Sequence, residues 1–386
     1  MTQARIFLVA AEPSGDLLGR EVADELRKTS PDLVMAGIGG AEMAQAGLRS
    51  AIDTSPLSVL GLFEGLKAYP DVVRLADEAV AEIVAFKPDA VVLVDSWGFM
   101  LRVAQRLRKI DPAIRIIKLI GPQVWASRPG RAKTLAACVD HLLCIHDFEV
   151  PYYEPFGLKT TIIGNPALSR VEPGNGDAFR RAYGLSEKAQ TLLVLPGSRR
   201  SEIARVAPAL VEAAYELKMT HRQLEVICAP AASVAEPFAE AFPDIRRWST
   251  VVKGSEDRLN AMAAADLALA CSGTVTTELA VQRTPMIVGY KTGWITWALA
   301  RGFLFKPTHI TLLNIVSDDT EIVPEYVQTR LTASLVAEKA ASLLAEPDRL
   351  SALVQAQNEA LERMGGTTAS AAKIAADAIV EDVASG

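Results

Sequence analysis

The stretch AVVLVDSWGFMLRVAQRLRKIDPAIRIIKLI, residues 90–120, contains the pattern that decides the fold. It opens with an apolar run that ends at Asp95, continues with an amphipathic helical pattern over 101–110, and closes with a second apolar run at 114–120. A strand, a helix and a second strand in this order form a βαβ unit, whose two strands lie parallel in one sheet. Functional loops of such sheets lie at the carboxyl ends of the strands, where this pattern places Asp95.

The same alternation continues on both sides of this unit. Before it, RIFLVAA at 5–11 is followed by the helical stretch LGREVADELRKT at 18–29. After a segment rich in Gly, Pro and Asn at 164–177, the pattern starts again with apolar runs such as TLLVLP at 191–196. We therefore predict an α/β protein with two Rossmann-like domains, each with a parallel sheet, that face a central cleft where ligands bind.

The domain boundaries are placed at the segment rich in Gly and Pro and at the start of the carboxyl-terminal helices. Residues 1–168 form the first domain and residues 169–345 the second. Residues 346–386 are strongly helical, with an interruption at Pro347, and are expected to pack back on the first domain. A chain of 386 residues exceeds the size at which a single core keeps growing, which also favours two domains.

Composition and charge exclude several classes of protein. The net charge of −6 and the pI near 5.5 argue against broad nucleic-acid binding. The apolar run near the amino terminus reaches Glu12 and Pro13 before it could serve as a signal-peptide core, and no apolar run approaches the roughly 20 residues of a membrane-spanning helix. The sequence therefore predicts a cytoplasmic protein, in which the four cysteines are reduced.

Two cysteines and two histidines lie close together in the stretch KTLAACVDHLLCIHDF, and they raise the alternative of a zinc site. The stretch is typical of a helix end followed by a short strand, so the four side chains would point in several directions. Their spacing also matches no familiar zinc pattern. We do not predict a metal there. The residues are Cys138, His141, Cys144 and His146.

Two loops in the second half have the residues that a nucleotide diphosphate needs. In LLVLPGSRRSEI, residues 192–203, Gly197 allows close approach of the backbone, free helix amides near Ser198 can receive phosphate oxygens, and Arg199 adds a charge-assisted contact. The alternative is a tight turn with solvated arginines. The second loop, ACSGTVTTELA at 270–280, repeats the arrangement.

In the second loop, a helix begins at Ser272, Gly273 and Thr274. Glu278 lies one turn further on, where its carboxylate could accept hydrogen bonds from the two hydroxyls of a ribose. The alternative is that Ser272 is an N-cap and Glu278 an acid favoured by the helix dipole. Together the two loops predict a nucleotide diphosphate that is bound without a metal.

The first half offers acidic candidates at two strand ends. AAEPSGDLLG places Glu12, Ser14, Gly15 and Asp16 between the first strand and the first helix, with helix capping by Ser14 or Asp16 as the alternative. Asp95 ends a later strand and is either a catalytic carboxylate or a polar residue that terminates the strand. The glycines of AGIGGAEM do not form the dinucleotide fingerprint, because that motif requires the first βα turn.

Aromatic and basic residues alternate in TGWITWALARGFLFKP, residues 292–307. Such a mixture suits a membrane interface with anionic lipid heads, and it equally suits core residues at helical spacing. A second apolar stretch, PLSVLGLFEGLKAYP at 56–70, could join the same surface or an acyl-chain groove. The aromatic residues are Trp294, Trp297, Phe303 and Phe305, and the basic residues are Lys291, Arg301 and Lys306.

Taken together, the motifs resemble the lipid-A-disaccharide synthase family of inverting GT-B glycosyltransferases. The matching stretches follow the family order over nearly the whole chain. They are AEPSGDLLG, GIGGAEM, LSVLGLFEGLK, VWASRPGRAK, LLVLPGSRRSEI, SGTVTTELA, PMIVGYK and LLNIV followed by EIVPEYVQ. The resemblance implies transfer of 2,3-diacylglucosamine from UDP-2,3-diacylglucosamine to 2,3-diacylglucosamine 1-phosphate, which gives a β-1,6-linked lipid A disaccharide 1-phosphate and UDP.

The resemblance also implies where and how the protein works. Family members act as peripheral proteins at the inner leaflet of the cytoplasmic membrane, use no metal or other cofactor, and can form dimers with exchanged carboxyl-terminal parts. It implies that Arg199, Ser272, Gly273, Thr274 and Glu278 hold UDP. It further implies that Asn314 lies near the transferred group, and that Glu12, Ser14 and Asp16 line the acceptor side.

Three positions depart from the family pattern in the first half. The stretch DSWGF has Gly98 where the family has a second acid, commonly taken as the catalytic base, and Ser127 and Asn165 replace an aromatic residue and a histidine. Asp95 is therefore the candidate base by default, with Glu12 and Asp16 as rivals. The alternative functions are a UDP-sugar 2-epimerase of related fold and a non-catalytic UDP-lipid-binding relative.

Overall fold

The computed structural model describes residues 3–50, 52–54, 57, 69–186, 188–252, 254–299, 305–366 and 370–385. Contacts between residues divide the chain into two compact units. The first unit comprises Met1–Ser169 together with Met364–Gly386, and the second comprises Arg170–Arg363.

The first unit is built on a sheet that has six parallel strands among the described residues. They are β1 (Arg5–Val9), β2 (Val34–Ile38), β3 (Ala90–Val94), β4 (Arg115–Leu119), β5 (His141–Cys144) and β6 (Lys159–Ile162). The order across the sheet is β2-β1-β3-β4-β5-β6. Every residue of β3 is buried, as expected for a parallel strand that is covered on both faces.

The second unit repeats this design with its own parallel sheet, again of six strands in the part of the chain that is described. They are β7 (Thr191–Leu195), β8 (Glu225–Cys228), β9 (Thr250–Val251), β10 (Leu267–Cys271), β11 (Met286–Tyr290) and β12 (Glu325–Val327). The order is β12-β11-β10-β7-β8-β9. The predicted α/β fold with two parallel sheets is confirmed.

Helices connect the strands in both units. They are α1 (Pro13–Thr29), α2 (Ala41–Gln45), α3 (Tyr69–Phe86), α4 (Trp97–Ile110), α5 (Arg131–Ala136), α6 (Gly176–Ala182), α7 (Arg200–Arg205), α8 (Ala207–Thr220), α9 (Ala235–Ala241), α10 (Ser255–Ala264), α11 (Val275–Val281), α12 (Trp294–Leu299), α13 (Leu312–Val316), α14 (Ala333–Leu344), α15 (Pro347–Arg363) and α16 (Ala371–Ala384). Short 3-10 helices cover Asp147–Tyr152, Glu154–Phe156, Leu168–Arg170, Ala232–Val234, Ile245–Arg247 and Gln328–Arg330.

The two carboxyl-terminal helices belong to different units. Helix α15 packs against α11, α13 and α14 in the second unit, and Gln357 on α15 donates from its amide nitrogen to the Thr284 carbonyl at 3.2 Å. The chain returns to the first unit at Met364, whose carbonyl accepts a hydrogen bond from the Asn165 amide at 2.8 Å. The structure thus differs from the predicted boundary at 345, because the apolar face of α15 is buried within the second unit.

Helix α16 completes the core of the first unit. Its buried face of Ala375, Ala376 and Ile379 packs in one cluster with α1 residues such as Val22 and Leu26. Alanines at these positions let the two helix backbones approach closely. The second unit has a separate cluster around β7 and β10, so each sheet has a core of its own.

Candidate active site

A pocket in the second unit lies at the carboxyl ends of β7 and β10. It contains about 480 Å³ of space between atoms, part of which is open to solvent. The loops that follow the two strands form its walls, at the edge where α/β sheets bind ligands. The lining residues are Leu195, Gly197, Ser198, Glu202, Ala229, Ala231, Arg258, Cys271, Ser272, Gly273, Thr274, Val275 and Glu278.

The first loop of the pocket is shaped by Gly197 and Glu202. Gly197 has φ +123°, and a Cβ added there would lie 2.6 Å from the Cβ of Glu202. The Glu202 carboxylate accepts hydrogen bonds from the amides of Ser198 at 2.8 Å and Arg199 at 3.2 Å. The amides of Ser198 and Arg199 are therefore occupied within the loop, and phosphate binding by free amides at the start of the helix stays a prediction. The Arg199 side chain is 78% exposed, and among the described residues it hydrogen-bonds only to Glu202, so it can turn to an anion.

The second loop is open toward the pocket. The N-cap residue of α11 is Thr274, which makes no side-chain cap hydrogen bond, and so the alternative that Ser272 is only an N-cap is wrong. The Ser272 amide donates to the Gly289 carbonyl at 3.0 Å, which ties the loop to β11. A Cβ added to Gly273 would meet no atom within 4 Å. Gly273 and Thr274 are exposed, and their loop leaves room for a ligand.

Glu278 lies one turn into α11 and lines the same pocket. Its Oε2 accepts a hydrogen bond from Nη2 of Arg258 on α10 at 2.9 Å. Sequence reasoning missed Arg258, because an arginine inside a polar helix follows no strand end and belongs to no motif. Cys271 also lines the pocket, but burial raises the pKa of its thiol to about 12, so it is not a thiolate nucleophile.

In the first unit, Asp95 directly follows β3 and begins a strained turn. Asp95 and Ser96 have φ of 49° and 41°, which is unusual for residues other than glycine and is often found at functional sites. The Asp95 amide donates to the Leu119 carbonyl at 2.8 Å, which holds the turn against the end of β4. A Cβ added to Gly15 would lie 3.6 Å from the Cβ of Asp95. The start of α1 and Asp95 are therefore neighbours.

Glu12 and Ser14 lie at the same edge of the first sheet as Asp95. Glu12 is the N-cap residue of α1, and its side chain makes no capping hydrogen bond. Ser14 is exposed in the first turn of the helix. Both side chains are placed where they could contact a ligand, and the capping alternative for Ser14 has no hydrogen bond to support it.

Asp16, one of the predicted catalytic candidates, is engaged by backbone amides of the first unit. The side chain is buried, and its Oδ1 accepts hydrogen bonds from the amides of Gly40 at 2.7 Å and Met43 at 3.2 Å. Its Oδ2 accepts from the Glu42 amide at 2.9 Å. The carboxylate therefore caps the start of α2 and holds the GIGGAEM segment against α1.

Asn314, predicted to lie near the transferred group, has its side chain held within the second unit. It is fully buried, and its amide nitrogen donates to the Val323 carbonyl and to Oε1 of Glu325, both at 2.8 Å. Its side-chain oxygen accepts from the amides of Ile322 at 2.9 Å and Val323 at 2.8 Å. Both polar atoms of the side chain are used in hydrogen bonds within the fold.

A buried lysine beneath the Asp95 turn was missed at the sequence level. Lys118 on β4 is 2% exposed, and its Nζ donates to the carbonyls of Leu93 at 3.1 Å, Asp95 at 2.5 Å and Leu119 at 3.3 Å. Burial lowers the pKa of Lys118 to about 7, although the charges of Asp95 and Glu12 raise it. The run IRIIKLI gives no hint of this role, because a single lysine in an apolar strand is more often at an exposed edge.

The cysteines and histidines at 138–146 contact protein groups within the first unit. Cys138 donates from its thiol to the Leu135 carbonyl at 3.4 Å, and His141 contacts Asp382 and Thr161 through its two ring nitrogens. Among the described residues, no group of three or more His, Cys, Asp and Glu side chains is placed to hold a metal ion.

The aromatic and basic stretch at 292–307 is described in part. Trp294 on α12 is 63% exposed, whereas Arg301 and Phe303 lie outside the described residues. Most of the apolar stretch at 56–70 also lies outside them. None of the helices that the structure describes combines the length and apolar character needed to cross a membrane.

Comparison with known sequences decides the family. The family described as lipid-A-disaccharide synthetase matches residues 6–380. The lipid-A-disaccharide synthase of Rhodospirillum centenum is 36% identical over 97% of this chain and 94% of its own length. That of Ruegeria pomeroyi is 38% identical over 94% of this chain and 92% of its own length.

The chain belongs to the lipid-A-disaccharide synthase family. Membership makes it a glycosyltransferase of lipid A biosynthesis, as the motifs in the sequence predict. Solved structures of UDP-N-acetylglucosamine 2-epimerases share the fold. The enzyme from Neisseria meningitidis, bound to UDP-N-acetylglucosamine, has a TM-score of 0.59 at 12% identity and covers 99% of this chain and 100% of its own. The enzyme from Methanocaldococcus jannaschii has a TM-score of 0.55 at 12% identity and covers 100% of both chains.

Proposed function

We propose that this synthase transfers 2,3-diacylglucosamine from UDP-2,3-diacylglucosamine to the 6-hydroxyl of 2,3-diacylglucosamine 1-phosphate. The observation that carries the proposal is the pocket at the ends of β7 and β10, in a chain that matches the synthase family over residues 6–380. The epimerase alternative is supported only by structures of 12% identity, which share the fold and no more.

On the donor side, the pocket offers separate partners for the diphosphate and the ribose of UDP. The open loop of Ser272, Gly273 and Thr274 and the exposed guanidinium of Arg199 suit the diphosphate. The carboxylate of Glu278 suits the ribose hydroxyls. Negative charge grows on the diphosphate as the glycosidic bond breaks, and hydrogen-bond donors and a guanidinium at that place stabilise the transition state.

On the acceptor side, we propose Asp95 as the base that removes the proton from the attacking hydroxyl, with Glu12 as its rival. The support is the position of Asp95 at the carboxyl end of β3, in a strained turn. The Lys118 ammonium donates a hydrogen bond to the Asp95 carbonyl in this turn. Gly98 lacks the acid that the family has there. It is exposed, and a Cβ added to it would meet only Nη1 of Arg102, at 3.8 Å.

We also propose that the protein works at the inner leaflet of the cytoplasmic membrane, because both substrates carry acyl chains. An interfacial contact with anionic lipid is supported by three exposed side chains, those of Trp294, Lys291 and Lys306. For a dimer with exchanged carboxyl-terminal parts, the contact of α16 with α1 would form between two copies instead of within one.

The test is a transfer assay in detergent micelles with both lipid substrates, measured by UDP release and by mass spectrometry of the disaccharide. We expect the wild type to turn over and Asp95→Asn to lower kcat by about 10²-fold or more. The double variant Asp95→Asn with Gly98→Asp moves the acid by three positions and should regain part of the activity. Asp77→Asn, an exposed acid on α3, is the matched control and should keep full activity.

Each outcome of this assay separates the hypotheses. Absence of both UDP and disaccharide with the wild type would overturn the proposal, and if UDP still raised the melting temperature, the chain would be a non-catalytic UDP-lipid-binding relative. Full activity of Asp95→Asn together with loss in Glu12→Gln would make Glu12 the base. Conversion of UDP-N-acetylglucosamine without detergent would favour the epimerase.

A further inference from the structure

Arg258 and Glu278 form an ion pair inside the proposed nucleotide pocket. Nη2 of Arg258 on α10 lies 2.9 Å from Oε2 of Glu278 on α11, and both side chains line the pocket. Their side chains are 26% and 22% exposed, so the pair is shielded from water more than a surface ion pair. Such a pair can hold a carboxylate in one orientation.

The contact uses only one carboxylate oxygen of Glu278. Arginine often binds a carboxylate through two parallel hydrogen bonds and so occupies both oxygens. Here Oε1 of Glu278 has no partner among the described residues, while the residue borders the pocket. One oxygen is held by the guanidinium, and the other is left as an acceptor for hydroxyl groups of a ligand.

The guanidinium of Arg258 makes no other hydrogen bond within the described part of the chain. Its Nε is buried there without a partner. A buried donor without a partner is unfavourable, and an ion pair that served stability alone would be expected to satisfy it. The geometry of the ion pair therefore fits a role in orienting the Glu278 carboxylate better than a role in stabilising the fold.

We propose that Arg258 is the positioning residue for Glu278: it fixes Oε2 so that Oε1 meets the ribose hydroxyls, and it thereby makes the pocket prefer a ribonucleotide over a deoxyribonucleotide. This inference rests on the proposed function, because it takes UDP as the ligand of the pocket. Arg258 acts through Glu278 and need not touch the nucleotide.

The experiment compares the dissociation constants of UDP and 2′-deoxy-UDP by calorimetry on the full chain. A hydrogen bond between a hydroxyl and a charged carboxylate corresponds to a preference of about tenfold or more for UDP in the wild type. In Arg258→Met, which keeps the length of the side chain and removes its charge, we expect this preference to fall to about threefold or less. Arg258→Lys, which keeps the charge, should restore part of it.

The ratio of the two constants separates positioning from other roles of the arginine. A contact of Arg258 with the diphosphate, or general loss of stability, would weaken both nucleotides equally and leave the ratio unchanged. In a Glu278→Ala background, adding Arg258→Met should leave the ratio as it is. Arg180→Met is the matched control, because Arg180 pairs with Asp266 in the same unit at 3.2 Å and does not line the pocket.

The outcomes distinguish this inference from the proposed function. A wild type that binds no UDP would overturn both. A wild type that prefers UDP, together with an Arg258→Met variant that keeps the preference, would overturn the role of Arg258 alone. If Arg258→Met does not fold, Arg258→Gln takes its place in the same comparison.

Discussion

At the scale of single residues, Lys118 is a lysine buried within the first sheet. Three backbone carbonyls accept hydrogen bonds from its ammonium group, and two of them belong to Leu93 and Asp95 at the end of β3. The lysine therefore links β4 to the strained turn that carries Asp95. Burial nevertheless lowers the pKa of Lys118 to about 7, so its charge is sensitive to pH in the neutral range.

This buried lysine predicts a pH dependence of stability that Lys118→Met should remove. The pKa is about 7 in the folded chain and near 10.5 when unfolded, so the unfolded state binds more protons between these values. The free energy of unfolding of the wild type, relative to Lys118→Met, should therefore rise between pH 7 and pH 9 by about 2 kcal/mol and stay level below pH 6. Urea unfolding of both proteins at pH 5.5, 7 and 9 measures this, and an equal difference at every pH would contradict it.

Asp16 and Asn314 show which contacts of the candidate residues could not be predicted from the sequence. Both are polar residues in motif positions, but each makes hydrogen bonds to backbone groups that are distant in sequence or separated by a loop. Asp16 meets Gly40, 24 positions away, and no local pattern contains that contact. By contrast, Gly197 and Gly273 were predicted from their position after a strand, because the carboxyl ends of parallel strands form binding loops in every such sheet.

At the scale of secondary structure elements, α16 is held by Asp382 at the amino ends of three strands. The carboxylate is fully buried, and it contacts Arg115 on β4 at 2.9 Å, His141 on β5 at 2.5 Å and Lys159 on β6 at 2.8 Å. Burial would raise the pKa of Asp382, but the hydrogen bonds from these three groups outweigh it and lower the pKa below its ordinary value. This contribution to stability is therefore present at neutral pH and is lost as the pH falls below about 4.

Replacing Asp382 should loosen α16 without disturbing the pocket in the second unit. Asp382→Asn removes the charge of the buried carboxylate that pairs with the partly exposed Arg115 and Lys159, and we expect it to cost about 2 kcal/mol. Amides of α16 should lose protection in hydrogen exchange, while those of β7 and β10 keep it. Asp377→Asn, on the same helix in an exposed pair with Lys373, is the control and should change little. Equal protection of α16 in both variants would contradict the role of Asp382.

The elements themselves were predictable to different degrees. Wholly apolar runs such as β3 and β10 were clear in the sequence, because parallel strands are buried on both faces. The helices after residue 346 were also clear, but their assignment to a domain was not. Helices α15 and α16 are both amphipathic, and only tertiary contacts show that the first packs in the second unit and the second in the first.

At the scale of the whole molecule, the chain builds two units that each have a sheet and a core. It passes from the first unit to the second after Ser169 and returns after Arg363. The proposed UDP pocket is lined entirely by residues of the second unit. Binding of UDP is therefore expected to stabilise the folded second unit. The Asp95 turn and α16 belong to the first unit.

This division predicts that UDP raises the unfolding temperature of the second unit selectively. A ligand at 100 times its dissociation constant stabilises the state that binds it by about 2.7 kcal/mol, which corresponds to about 5–10 °C for a domain of this size. Scanning calorimetry should resolve two transitions, of which UDP shifts one. Asp382→Asn should lower the other, and this assigns each transition to its unit. A single transition that UDP shifts as a whole would contradict this prediction and mean that the units unfold as one cooperative body, since ligand binding to one unit stabilises only the structure that unfolds with it.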